Sequence, residues 1–204
     1  MRRITMMLAV ALTVILFRPV AAQFDFGVLG SANDCNLKGQ LLGQPNIGDT
    51  PRLSFGLGLI AVAKVYDRFS LQVAPGLLEK GGENGSPGEE SIEVRLSYID
   101  IPVNLKISMG KPYLLLGGYY SYLISASYTE GFKASSEGVS DNFSDDDSGL
   151  DIAVGVDLGV KNSGTGFVVE LHWTRGFSEL VKTPIQPGDT LEHRGFHLKF
   201  GVVF

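Results

Sequence analysis

Apolar residues recur at every second position along most of the chain, in eight segments whose connections are alternately long and short. Side chains alternate across a strand, so each segment predicts a β-strand with one apolar face. The long connections run from Asn33 to Leu53, Gly81 to Ser91, Thr129 to Ser148 and Gly176 to His193, and are rich in Gly, Pro, Ser, Asn and Asp. Tight connections fall at Tyr66-Asp67-Arg68, Met109-Gly110-Lys111-Pro112 and Asn162-Ser163-Gly164, short enough to join antiparallel neighbours.

The later segments carry the clearest code. In the sixth, Leu150, Ile152, Val154, Val156, Leu158 and Val160 oppose Asp151, Ala153, Gly155, Asp157, Gly159 and Lys161. The seventh sets Phe167, Val169, Leu171 and Trp173 against Val168, Glu170, His172 and Thr174. The eighth sets Phe196, Leu198, Phe200, Val202 and Phe204 against His197, Lys199, Gly201 and Val203. The fifth places Leu114, Leu116, Tyr120, Tyr122, Ile124 and Ala126 on one face, with Leu115 and Leu123 pointing the other way. The fourth starts with Ile92, Val94, Leu96 and Tyr98 in one phase and continues with Ile99, Ile101, Val103, Leu105 and Ile107 in the other. That flip predicts a bulge near Tyr98-Ile99 that returns a single face to lipid. In the third, Phe69, Leu71, Val73, Pro75 and Leu77 oppose Ser70, Gln72, Ala74, Gly76 and Lys80, and Pro75 removes a ladder donor, which predicts an irregularity. Phe24 to Val28 and Phe55 to Leu59 supply the first two strands.

A strand of about 10 residues at ~3.3 Å each, tilted by ~45°, rises roughly 23 Å, close to the ~25 Å apolar band of outer-membrane barrels. Short turns at one rim and long loops at the other are the habit of that class. The predicted fold is therefore all-β, an eight-stranded antiparallel up-and-down transmembrane β-barrel. Hydrophobic residues make up 44% of the chain without a later apolar run long enough for a spanning helix, so entry into a membrane requires a closed sheet.

Met1-Arg2-Arg3, an apolar run from Ile4 to Phe17 and the small-residue end Val20-Ala21-Ala22 read as a secretory signal peptide, residues 1–22. The run of about 14 residues is shorter than the ~20 of a membrane anchor. Cleavage after Ala22 removes three arginines and no acid, taking the formal charge from −5 to −8 and leaving residues 23–204 as one barrel domain. An acidic exported barrel is a poor partner for nucleic acid. The single cysteine, Cys35, falls in the first long connection, where it reads as an incidental loop residue without an intramolecular disulfide partner.

The segment from Tyr98 to Lys106, Tyr-Ile-Asp-Ile-Pro-Val-Asn-Leu-Lys, resembles a characteristic strand of PorT-like outer-membrane β-barrels. Ala74 to Gly82 resembles the strand that leads into that family's Lys-Gly-Gly loop, and Leu115 to Tyr119 and Leu198 to Phe204 fit its later strands. The resemblance implies an integral outer-membrane protein of a Gram-negative bacterium, with outer-membrane lipid as its surroundings and no catalytic motif.

The outward row Phe196, Leu198, Phe200, Val202 and Phe204 resembles the signal by which the barrel-assembly machinery recognises its clients. Inward charges are expected at Glu93, Arg95, Asp100, Lys106, Asp151, Asp157, Lys161, Glu170, His172 and Lys199. A lumen of eight strands is only wide enough for side chains. These groups should then pair into a polar plug rather than line a wide pore. His193 and His197 have the i, i+4 spacing of a helical metal site, but ~13 Å along a strand argues against a shared ion. His172 and Glu170 share an inner face without an activated serine beside them, so neither catalytic residues nor a cofactor is expected. The run from Asp141 to Ser148 reads as a solvated acidic loop, and Tyr66, Tyr113, Tyr128 and Trp173 as interfacial aromatics.

The expected role is non-enzymatic, structural or surface-interacting through the four long loops, with the loop partner left open. Two rivals remain: a soluble lipocalin-type barrel binding an apolar ligand, which would invert the inside and outside faces, and a lipid-modifying barrel enzyme. Intact-mass measurement of the protein purified from membranes is expected to give a chain starting at Gln23; a chain that keeps Met1 contradicts signal cleavage.

Overall fold

The computed structural model describes residues 24–41, 44–45, 50–84, 92–130, 133–135, 142–159, 165–182, 188 and 190–204. Its strands are β1 (Phe24–Leu41), β2 (Gln44–Pro45), β3 (Thr50–Tyr66), β4 (Phe69–Val73), β5 (Gly76–Asn84), β6 (Ile92–Ser108), β7 (Pro112–Glu130), β8 (Lys133–Ser135), β9 (Asp146–Asp157), β10 (Gly166–Gly176) and β11 (Thr190–Val203). All pairings are antiparallel, and each wall strand lies beside its neighbour in sequence. β4 and β5 are two lengths of one wall strand, parted at Ala74 and Pro75, so the ring has eight positions. β2 and β8 extend hairpins from the outer ends of β1 and β7.

The ring closes where β1 meets β11, in an unbroken register from Gly27↔Val203 to Gln40↔Thr190. Phe26 and Phe204 complete that seam, each backbone N–H donating to the other's carbonyl at 3.1 and 2.8 Å. Closure leaves no wall strand without a neighbour on either side among the described residues, the condition for a sheet in hydrocarbon, although the β3–β5 ladder is interrupted between Pro51 and Gly58. At the predicted proline irregularity the ladder is re-satisfied locally: Leu59 N donates to Pro75 O at 2.8 Å and Ala74 N to Pro102 O at 3.2 Å. The turns at residues 67–68 and 109–112 are as expected, whereas Asn162-Ser163-Gly164, Lys161, Asp141 and residues 1–22 lie outside the described residues.

The bulge is displaced from its predicted place. β6 keeps one phase throughout, and the register slips where Ser97 faces Ser125 but Tyr98 faces Leu123. The extra residue therefore belongs to β7 at Ile124–Ser125, and it turns Ala126 inward instead of outward. Consequently Val94, Leu96 and Tyr98 point into the barrel, each fully buried, while Glu93 and Arg95 face out. The apolar residues of β6 change sides because their surroundings change.

β6 has 17 residues, which at ~3.3 Å and ~40° tilt climb roughly 40 Å, well beyond the ~25 Å band. Along β1 the outward residues are Phe24, Phe26, Val28, Gly30 and Ala32, then Asp34, Asn36 and Lys38. Along β11 they run from Phe204, Phe200, Leu198 and Phe196 to Arg194, Glu192 and Thr190. On the inner face Leu37, Leu96, Tyr98, Leu123, Ala126 and Leu191 gather with Phe143, Leu180 and Val181 into an apolar core. Above the lipid band the wall is polar outside and apolar inside, as in a soluble barrel.

The connections before β9 and before β11 roof this core. Ser144 N donates to Leu180 O at 2.8 Å, Lys182 N to Asn142 O at 2.9 Å and Leu180 N to Leu191 O at 2.9 Å. The acidic run is therefore only partly solvated: Asp145 and Asp146 are exposed, but Phe143 and Asp147 are buried. The lipocalin alternative fails in the lower barrel, where Phe26, Phe55, Leu57, Leu59 and Phe200 are each at least half exposed on the outer face. Phe200→Arg, on the apolar band, is expected to cost ~2–4 kcal/mol in vesicle unfolding titrations, and Thr190→Arg, beyond it, within ~0.5 kcal/mol. Equal costs would contradict the change of surroundings along β11.

Candidate functional site: the polar lumen

Inward positions of the lower and middle barrel carry the polar side chains, and they converge because the ring is narrow. His172 on β10 stands between two carboxylates, with Nδ1 2.9 Å from Asp151 Oδ1 and Nε2 2.8 Å from Glu170 Oε2. Glu170 Oε1 also accepts from Gln72 Nε2 at 2.9 Å and Tyr113 OH at 2.7 Å. Asp151 Oδ2 accepts from Asn104 Nδ2 at 2.7 Å. Gly155 leaves the space in which the Tyr113 ring lies, since a Cβ there would strike the ring. Lys106 Nζ sits 3.8 Å from the centre of that ring.

Above this cluster Lys80 Nζ donates to Asp147 Oδ2 at 2.6 Å and to Ser121 Oγ at 2.9 Å, with both ionic side chains fully buried. Tyr119 OH donates to Asp147 Oδ2 at 2.9 Å, and Ser121 Oγ to Asp100 Oδ1 at 2.6 Å. The Tyr98 and Tyr119 rings lie 4.6 and 4.5 Å from the ammonium. Buried charge is tolerated when it is paired and hydrogen-bonded, and Lys80 and Asp147 have both kinds of partner.

Two apolar clusters bound the network. Leu29, Ile60, Val62, Ala74 and Val168 lie toward the short-turn end, and the roofed core toward the other. A vestibule of about 230 Å³ opens at the short-turn mouth, lined by Asp25, Lys106 and Asp157 among others, but the cavity beside His197 and Asp151 measures only about 30 Å³. Among the described residues the lumen is a filled core.

Residues 18–182 match the family model described as "Outer membrane protein beta-barrel domain". The chain belongs to that family. It is an integral outer-membrane β-barrel. Neisserial surface protein A has a similar fold at 15% identity, TM-score 0.50, over 90% of this chain and 98% of that one. Ail, the attachment invasion locus protein of Yersinia pestis, aligns at 12% identity and TM-score 0.47 over 89% and 99% of the two chains. Escherichia coli outer membrane protein W aligns at 17% and 0.46 over 92% and 100%. Curated protein sequences give no match.

Within this barrel family member, Asp100, Lys106, Asp151, Asp157, Glu170, His172 and Lys199 point inward as the alternation predicted. Glu93 and Arg95 do not: they face outward and pair with each other at 2.9 Å. Tyr113, expected at the interface, is a lumen residue, and the side chain of Tyr128 lies outside the described residues. The alternation had already placed Gln72 and Lys80 inward, but their roles, and those of Asp147, Asn104, Tyr119 and Ser121, depend on partners from distant strands. Lys80→Met leaves Asp147 buried without its cation and should lower the unfolding free energy in detergent by ~3–5 kcal/mol. Lys80→Met combined with Asp147→Leu should recover most of that loss; a single variant as stable as the parent would contradict the ion pair.

Proposed function

We propose that the protein is a non-enzymatic display barrel: a plugged cylinder that holds its long connections clear of the outer-membrane surface for contact with a partner outside the cell. The observation that carries this reading is the exchange of faces along the strands. The wall continues past its apolar band with Asp34, Lys38, Arg95, Arg175, Glu192 and Arg194 directed outward and an apolar core inside. Such a core stiffens the outer barrel as it would a soluble domain, since each fully buried Leu contributes about 1.5–3 kcal/mol.

The non-enzymatic part rests on what the histidines touch. His172 is held between Asp151 and Glu170, and His197 meets the Thr174 hydroxyl at 2.9 Å but the Asn33 amide oxygen on its other side. A nucleophile relay needs, besides an oriented histidine, access for substrate. Thr174 and His197 are buried beneath the roofed core. The filled lumen likewise disfavours passive conduction.

Export through residues 1–22 and insertion by the barrel-assembly machinery, which would read the outward row Phe196, Leu198, Phe200, Val202 and Phe204, belong to the same reading. Closer kinship with PorT-like barrels is supported by the strand from Tyr98 to Lys106, whose Tyr98, Pro102, Asn104 and Lys106 are buried toward the lumen. Display predicts sidedness. In intact cells, with Cys35 replaced by Ser, a membrane-impermeant thiol reagent should label Lys182→Cys but not Asp67→Cys. Purified barrel in a planar bilayer should give no conductance steps. Labelling at Asp67→Cys alone would reverse the orientation, and stable conductance steps would replace display by transport.

A further inference from the structure

The seam that closes the barrel carries a cluster which the polar network does not use. Cys35 on β1 lies opposite Gly195 on β11, and His193 and His197 flank that glycine two residues to either side. All of these side chains face inward and are almost completely buried. Cys35 is thus a wall residue, not a loop residue. The strand spacing expected to keep the two histidines apart does not separate their rings, whose centroids are 6.2 Å from each other. Gly195 is the reason: a Cβ there would stand 3.2 Å from His193 Nε2 and 3.3 Å from His197 Cε1, so both rings lean over the space that its missing side chain leaves.

The hydrogen bonds orient both imidazoles. His193 Nδ1 is 3.2 Å from the Tyr119 hydroxyl, which itself donates to Asp147. His197 Nδ1 donates to Asn33 Oδ1 at 3.1 Å. Each ring therefore has its Nδ1 proton engaged by an outer acceptor, which presents Nε2 as the lone-pair nitrogen. His193 Nε2 is buried with no hydrogen-bonding partner among the described residues. His197 Nε2 faces Thr174 Oγ1, and that hydroxyl has a second acceptor in Gly195 O at 3.4 Å. One atom from each of Cys35, His193 and His197 lies within 4.8 Å of the others. Tetrahedral zinc with Zn–S ~2.3 Å and Zn–N ~2.05 Å needs separations of about 3.5 Å, so binding would draw the three side chains together by roughly 1 Å.

We propose that Cys35, His193 and His197 form a binding site for a zinc-type divalent metal ion that fastens β1 to β11 at the barrel seam. A thiolate with two imidazoles suits zinc or its spectroscopic substitute cobalt, and leaves a fourth position for a water or the Thr174 hydroxyl. Ligation releases the Cys35 thiol proton to solvent. The apolar core that includes Leu37, Tyr98 and Leu191 roofs the site, so the ion is captured as the barrel closes.

The test refolds the denatured full chain into detergent with cobalt(II) or zinc and removes free metal by desalting. The parent should retain one metal per chain and, with cobalt, show a thiolate-to-metal charge-transfer band. Zinc should raise the temperature at which the folded gel band converts to the unfolded one. Cys35→Ser should lose the band, and it and His193→Gln should retain metal at least about tenfold less firmly. The proposal is overturned if folded parent, shown by its heat-dependent gel shift, retains no metal. It is equally overturned if cobalt binds without the charge-transfer band, a readout of the parent alone that does not need the variants to fold.

Discussion

Everything in this structure depends on one constraint: a strand in hydrocarbon has no water to satisfy its backbone, so the sheet must close on itself. Here closure is the register of β1 on β11, completed by Phe26 and Phe204. Closing after eight strands fixes a lumen too narrow for solvent-filled passage, and inward polar groups must therefore satisfy one another. Lys80 with Asp147, and His172 with Asp151 and Glu170, are the consequence. The Lys80–Asp147 pair joins β5 to β9, and Gln72 and Tyr113 tie β4 and β7 to Glu170 on β10, so groups that would be costly alone fix which strands face each other across the barrel.

The second determinant is a change of solvent along each strand. Where lipid surrounds the wall, apolar residues belong outside; where water surrounds it, they belong inside. β6 shows the transition most plainly, with Ile99, Ile101, Val103 and Leu105 outward and Tyr98, Leu96 and Val94 inward, without any break in its own alternation. Phe143, Leu180 and Val181 from the outer connections complete the upper core and tie those connections to the wall. Rigidity of the outer barrel thus comes from ordinary hydrophobic burial, and rigidity of the membrane portion from paired polar groups.

Much of this was legible in the sequence. Strand count, loop asymmetry, the break at Pro75 and the facing of β9, β10 and β11 follow from alternation alone, because a period of two leaves little freedom when one face meets lipid. The phase flip at Tyr98 is visible, but it requires a bulge in β6 only if lipid surrounds the whole strand. The actual bulge, at Ile124–Ser125, had no signal of its own in β7. Composition marks the polar stretches around Cys35 and Asp147 as loops, while β1 and β9 extend through those stretches above the membrane. The nearness of His193 to His197 was hidden for another reason: it depends on Gly195 between them and on Cys35 across the seam, and pairing register is a tertiary fact.

Amide hydrogen exchange of the protein in lipid nanodiscs tests the central claim most directly. If the barrel continues as a packed cylinder above the lipid, the amides of residues 94–98 and 191–195 will be protected to a degree comparable with those of 101–105 and 197–201. Exchange of the outer set within minutes, with the inner set protected, would show that the wall ends at the membrane surface and would contradict the account.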